Sequence, residues 1–239
     1  MRNYLPTLRL ASDAPEPILK AKFGGLPWGV PPQRWPACRE CGHLMSCLAQ
    51  IPVRGHLDHA GPLAGRPDLA GKVLHVFTCE RLTICDFWDP RSGANAAFFW
   101  DEGELQPKGA ASAGPIVSVL PEVWIEGWTP HDDPVPEEAA DSFTDDARFY
   151  ALPEEWQFPH DFDAALQTKL GGVPYWTGQG PSSPPQLPFR FMLEVDRWLT
   201  LPDITEGEVE LANFCSDGTG FVFVDPNRAD LPALFLINR

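Results

Sequence analysis

The stretch KFGGLPW at residues 22–28 returns as KLGGVPY at 169–175, 147 residues later. Two adjacent glycines accept positive φ and the following proline forbids a continuing helix, so each copy dictates a turn. The turn is not alone. SCLAQIPV (46–53) follows the first copy and RFMLEVDR (190–197) the second, with Gln50 and Glu194 each set between apolar residues. Further on, GKVLHVFTC (71–79) faces GTGFVFVDP (218–226), again 147 residues apart. Three landmarks in one order at nearly one offset predict an internal duplication. The expected organisation is a first repeat over 1–128, an acidic proline-rich junction over 129–163, and a second repeat over 164–239, the two repeats packed together.

The 27 prolines among 239 residues interrupt long helices and favour short strands, turns and irregular loops. CLAQIPV and FMLEV read as buried strands. KVLHVF and GFVFV, rich in β-branched and aromatic residues between glycines, read as strands too. IVSVLPEVWIEGW (116–128) adds one or two more. HDFDAALQTKLGG (160–172) reads as the clearest helix, capped by Asp161 or Asp163 and ended by Gly171. The predicted class is a β-rich α+β fold. No apolar run reaches the roughly 18 residues of a membrane span, and MRNYLPTLRLASDAP is too broken for a signal-peptide core. A soluble cytoplasmic protein is the expectation.

The formal net charge is −15. Residues 129–163 hold 11 acidic residues and one basic residue, Arg148, and so carry two thirds of that excess. Repulsion from phosphates argues against direct nucleic-acid binding, whereas a basic protein partner is compatible. A solvated segment that aids solubility is the plain alternative.

Six cysteines stand at 38, 41, 47, 79, 85 and 215. Cys38-Arg-Glu-Cys41-Gly42 has the spacing with which two thiolates grip one tetrahedral ion, the glycine letting backbone N–H groups turn toward sulfur. Cys79 and Cys85 supply the complementary pair, in the pattern C-x2-C-x37-C-x5-C. Four thiolates leave no position for water, so the expected cofactor is a structural Zn2+ rather than a catalytic one. His43 and His75 lie close enough in sequence for either to replace one sulfur. A redox reading of the CxxC needs a helix N-terminus to depress the thiol pKa, and WPAC after a proline-rich loop announces none. Cys47 and Cys215 read as buried small hydrophobes.

KFGGLPWG, LAQI, KLGGVPY, FMLEV and SDGTGFVFVDP together resemble the YwqG-like bacterial family, with its Lys-x-Gly-Gly-x-Pro turn, Leu-x-Gln strand and late Asp-Gly-x-Gly strand. CRECG, CLAQI and VLHVFTCERLTIC also resemble the amino-terminal part of programmed cell death protein 2 and its relatives. Cys47, where a bulkier residue is usual, and Glu194, where the first half has Gln50, depart from the pattern. The resemblance implies a mostly β, two-repeat fold without established enzymatic activity, and by analogy with the eukaryotic relatives a role in escorting a basic, assembly-prone polypeptide.

Other chemistry is weakly marked. There is no Gly-x-Ser-x-Gly, and the glycine pairs lack the Gly-Lys-Ser/Thr ending of a phosphate loop. His56 and His59 of HLDH could bind a metal but show no third ligand nearby. The acid pairs Asp132-Asp133 and Glu154-Glu155 read as solvent-facing charge. Packing of the repeats about a pseudo-twofold axis would bring Lys22, Gln50, Lys169 and Glu194 to a cleft lined by Trp28, Tyr175 and Trp176. The alternative is that they satisfy backbone groups in buried turns. The expected function is a non-enzymatic protein-binding or chaperone-like module. A hydrolase or transferase with its site in the inter-repeat cleft, and an immunity-type protein that blocks a toxin, are the alternatives.

Overall fold

The computed structural model describes residues 1–11, 19–53, 63–64, 66–81, 85–106, 118–157, 168–176, 185–202, 207–214 and 218–239. Strands dominate. In chain order they are β1 (Arg2–Leu10), β2 (Lys22–Phe23), β3 (Ser46–Pro52), β4 (Lys72–Thr78), β5 (Asn95–Asp101), β6 (Val123–Asp132), β7 (Lys169–Gly171), β8 (Arg190–Asp196), β9 (Trp198–Thr200), β10 (Glu208–Glu210), β11 (Thr219–Val224) and β12 (Ala233–Asn238). The α-helices among the described residues are single turns, α1 (Asp146–Phe149) and α2 (Glu154–Gln157), and a longer 3-10 stretch covers Glu137–Thr144. No helix among them is long and apolar enough to cross a membrane.

Ten strands form one sheet in the order β12-β11-β8-β7-β1-β6-β2-β3-β4-β5, while β9 and β10 pair separately. Every neighbouring pair is antiparallel. The end strands β5 and β12 come against each other, so the twisted sheet curls almost into a barrel. The long β1–β6 ladder is its spine. On one side lies the arm β2-β3-β4-β5, on the other β7-β8-β11-β12.

This arrangement corrects two sequence expectations. The boundary at 128 falls inside β6, which runs on to Asp132 because its far end still pairs with Arg2–Leu5. The segment 160–172 does not end as a helix: Lys169–Gly171 is β7, held by Tyr4 and Asn3 of β1 and by β8. Residues 160–167 lie outside the described residues, as do His56, His59 and Cys215.

The strands of the second arm are covered on both faces, which is why β11 reads TGFVFV without polar alternation. Val222 and Val224 enter the main core, which is continuous from Phe23 and Val76 to Leu193 and Phe235. Phe221 and Phe223 point into a second cluster with Phe143, Phe149 and Trp176. The acidic stretch is therefore amphipathic rather than uniformly solvated. Val135, Ala139, Phe143 and Phe149 bury against the sheet, while Glu137, Glu138, Asp145, Asp146, Glu154 and Glu155 face solvent.

Candidate metal centre

The chain doubles back sharply between Pro36 and Met45. Met45 N donates to Pro36 O (3.0 Å), Cys38 N to His43 O (2.9 Å) and Gly42 N to Cys38 O (2.9 Å), with Ala37 and Leu44 forming a bridge. Gly42 takes φ of 73°, a conformation that costs glycine nothing. The turn presents Cys38 and Cys41 side by side. Cys79 arrives at the end of β4, its N–H donating to Ala94 O (3.0 Å). Cys85 opens a loop that returns to β5, and Phe87 N donates to Cys85 O at 3.1 Å.

The four sulfurs lie within 4.8 Å of one another. Cys41 and Cys79 Sγ are 3.6 Å apart, and Cys79 and Cys85 Sγ 3.7 Å. Thiolates held by bonds of about 2.3 Å around a tetrahedral ion stand about 3.8 Å apart, whereas a disulfide would bring two of them to about 2.05 Å. All four are free thiols. Donor type, number and spacing thus fit a closed tetrahedral metal ion. Cys38, Cys79 and Cys85 are buried at 1%, 1% and 5% exposure, and Cys41 is partly open.

The electrostatics of the bare cluster are uneven. Burial pushes the Cys79 thiol up to about 11 and raises Cys85 further. At Cys41 burial acts the same way, but hydrogen bonds from His43 and the neighbouring thiols outweigh it and pull the thiol down to about 6. A bound dication would supply what the protein does not, a charge that lets all four sulfurs ionise together.

The histidine alternatives resolve in favour of sulfur. His43 Nδ1 donates to Cys41 O (3.0 Å), and its Nε2 accepts from Arg81 Nη1 (2.7 Å), so neither ring nitrogen has a lone pair free for an ion. His75 is buried inside β4 and donates from Nε2 to Gln50 Oε1 at 3.2 Å. Burial, with the charge of Lys22 adding, pushes His75 down to about 3 and keeps it neutral. Cys47 is 2% exposed and burial pushes its thiol up to about 12, the profile of an inert core residue.

The residues expected to share one cleft fall into two buried nodes, separated by β1 and β6. Two intervening strands put β2 and β7 about 14 Å apart. In the first node Lys22, wholly buried, donates to Glu122 Oε2 (2.6 Å) and Leu26 O (2.7 Å). Gln50 accepts from Trp28 N (2.6 Å) and donates to Lys20 O (2.8 Å). In the second, Lys169 lies 3.4 Å from both Asp133 oxygens and 3.9 Å from Glu194 Oε2. Tyr175 N donates to Glu194 Oε2 (3.1 Å), and the Lys169 ammonium sits 3.5 Å from the centre of the Tyr175 ring. Trp176 turns away, donating to Phe143 O at 2.9 Å. These groups partner one another and the backbone of two turns, leaving Glu122 Oε1 and Glu194 Oε1 without a partner among the described residues.

Two residues of the nodes escape sequence reasoning. Asp133 belongs to the acid run read as solvent-facing, yet it is 5% exposed and receives Asn3 Nδ2, Val173 N and the Tyr175 hydroxyl. Glu122 is equally buried. The available signal is chemical: a lysine beside a Gly-Gly turn in a hydrophobic setting demands an acid, though spacing does not say which.

No protein-family model matches this chain, and no curated protein matches it either.

Proposed function

We propose that this protein is a non-enzymatic binding module with a chaperone-like role, built from two copies of one ancestral unit and stabilised by a structural zinc ion on Cys38, Cys41, Cys79 and Cys85. The observation that carries the reading is the closed set of four sulfurs within 4.8 Å. Such a set holds an ion without leaving a coordination position for substrate or water, and zinc is the ion that four thiolates at tetrahedral spacing suit best.

Three local correspondences support the duplication. Lys22 pairs opposite Gln50 and Lys169 opposite Glu194. Trp28 N and Tyr175 N, 147 residues apart, donate to those two partners. Leu48 and Met192, 144 residues apart, are the extra residues of matching bulges on β3 and β8. The ladders refine the sequence alignment by one residue. Gln50 faces His75 and Glu194 faces Phe221, which are 146 residues apart.

A binding role is supported by the amphipathic acidic segment, whose apolar residues fix it to the sheet and leave at least six carboxylates facing outward. A fixed negative field speeds capture of a cationic polypeptide. The lysines that a cleft enzyme would need are occupied in buried ion pairs, which supports a structural role for them.

Elemental analysis of purified protein tests the metal, with about one zinc per chain expected. Affinity capture from cell extract at low and high salt tests the partner. Recovery of a basic polypeptide at low salt, lost at high salt and lost on replacing Glu137, Glu138, Asp145 and Asp146 by Ser, is the expected result. Capture indifferent to those four carboxylates would refute the reading.

A further inference from the structure

The two lysine turns differ by one charge. In the first, Lys22 meets one carboxylate, Glu122, and the strand position opposite it is the neutral Gln50. In the second, Lys169 meets two carboxylates, Asp133 and Glu194, and Glu194 stands opposite it where the first turn has Gln50. All three are buried, at 2%, 5% and 0% exposure. Fully ionised, that node would carry an uncompensated negative charge in a dry interior, a costly state.

The hydrogen bonds indicate which acid is the surplus one. Asp133 is saturated, receiving Asn3 Nδ2, Val173 N, Tyr175 Oη and Lys169. Glu194 uses only one oxygen: Oε2 accepts from Tyr175 N, while Oε1 has no partner among the described residues. Gln50 divides its work the same way, Oε1 accepting from Trp28 N and the other end of the amide acting as a donor. We infer that Glu194 is held as a neutral carboxylic acid, its Oε1 carrying the proton, so that the second turn contains a proton-binding site that the first turn lacks.

The surroundings agree. Burial pushes Glu194 up to about 8, with Asp133 and Asp196 adding to the rise and Lys169 and Tyr175 N opposing it. Phe221, opposite it on β11, contributes no charge. The sign follows: a glutamate bound to a proton in the fold but ionised in the unfolded chain stabilises fully below the ordinary glutamate range. That contribution is lost as pH rises toward about 8. Above it, Glu194 is ionised and the turn around Lys169, Gly172 and Tyr175 is loosened. The inference stands apart from the metal reading, since no sulfur takes part.

Denaturant unfolding of wild type and Glu194→Gln from pH 6 to 9 tests it. The difference between the two isolates this residue from Glu80 and Asp196, whose carboxyls burial also raises. The folding constant of wild type relative to Glu194→Gln is expected to fall about tenfold per pH unit up to about pH 8. A pH-independent difference would overturn the proposal. Should the variant fail to fold, carboxyl-carbon NMR of the wild type decides alone. One glutamate must titrate above pH 7.5, and a spectrum with every glutamate ionised at that pH refutes it.

Discussion

At the scale of single residues, sulfur and imidazole make opposite predictions testable on the same protein. Cys38→Ser removes one of four thiolates, so metal content should drop well below one equivalent and stability by about 4 kcal/mol or more. Cys47→Ala deletes a sulfur of the same strand system that lies outside the cluster. It should cost only about 1–2 kcal/mol as a small cavity and leave metal content unchanged. Equal metal loss in both would mean that the four-sulfur cluster is not the binding site. His75 sets the acid limit. Its folded value near 3 lies below that of an ordinary histidine, so the unfolded chain binds the extra proton in between. Its contribution to stability is therefore complete above about pH 6.5 and is lost as pH drops toward 3. His75→Gln should flatten that limb of a pH–stability curve, read by thermal unfolding. An unchanged limb would assign acid lability to other groups.

At the scale of elements, the Gly-Gly turns are the parts least open to substitution. Gly25 and Gly172 hold φ of 66° and 74°, and a Cβ on either would run into a buried carboxylate, Glu122 or Asp133. Alanine at either site should cost roughly 2–4 kcal/mol, from backbone strain and a displaced ion-pair partner together. Gly103, with open space around it, should accept alanine within about 0.5 kcal/mol. Guanidinium unfolding of the three variants separates these outcomes. The turns were legible because such φ strongly favours glycine and because proline marks their exit, so KFGGLPW and KLGGVPY announce a geometry and not merely a composition. Strands β3, β4, β8 and β11 were legible from their β-branched and aromatic runs. Strand β1 was not, since Pro6 interrupts it. The proline is tolerated because β7 pairs only with Asn3 and Tyr4, leaving that edge of β1 without a ladder beyond them. The acidic stretch misled for a related reason. Its apolar residues Val135, Ala139, Phe143 and Phe149 are spread among many charges, and their burial is decided by the unclaimed outer face of β11, which lies far along the chain.

At the scale of the whole molecule, the metal turn and the seam of the sheet are one structure. The loop that begins at Cys85 carries Phe87, whose carbonyl accepts from Asn95 Nδ2 on β5 (2.6 Å) and from Ile237 N on β12 (3.4 Å). The same loop is tied back to the CxxC turn, Asp86 N donating to Glu40 Oε2 (2.7 Å) and Arg39 N to Gly93 O (3.1 Å). Strands β5 and β12 are the two ends of a ten-stranded sheet, so a joint that grips both is where near-closure is fastened. An ion on the four sulfurs would fix that joint to the end of β4 through Cys79. Without it, the loop is held by Phe87 and Ala94 in the core and by a few hydrogen bonds, with Asp86, Trp88 and Asp89 exposed to solvent. Chelation should therefore accelerate amide exchange at Ile237 by about tenfold or more, while the central β1–β6 ladder keeps its protection, because local opening follows the weakest contacts rather than the whole fold. Hydrogen exchange read by mass spectrometry on metal-loaded and chelated protein makes the comparison. Uniform loss of protection across β1, β6 and β12 would show instead that the ion supports the entire fold. Unchanged exchange at Ile237 in protein shown to have lost its metal would show that the seam holds without it.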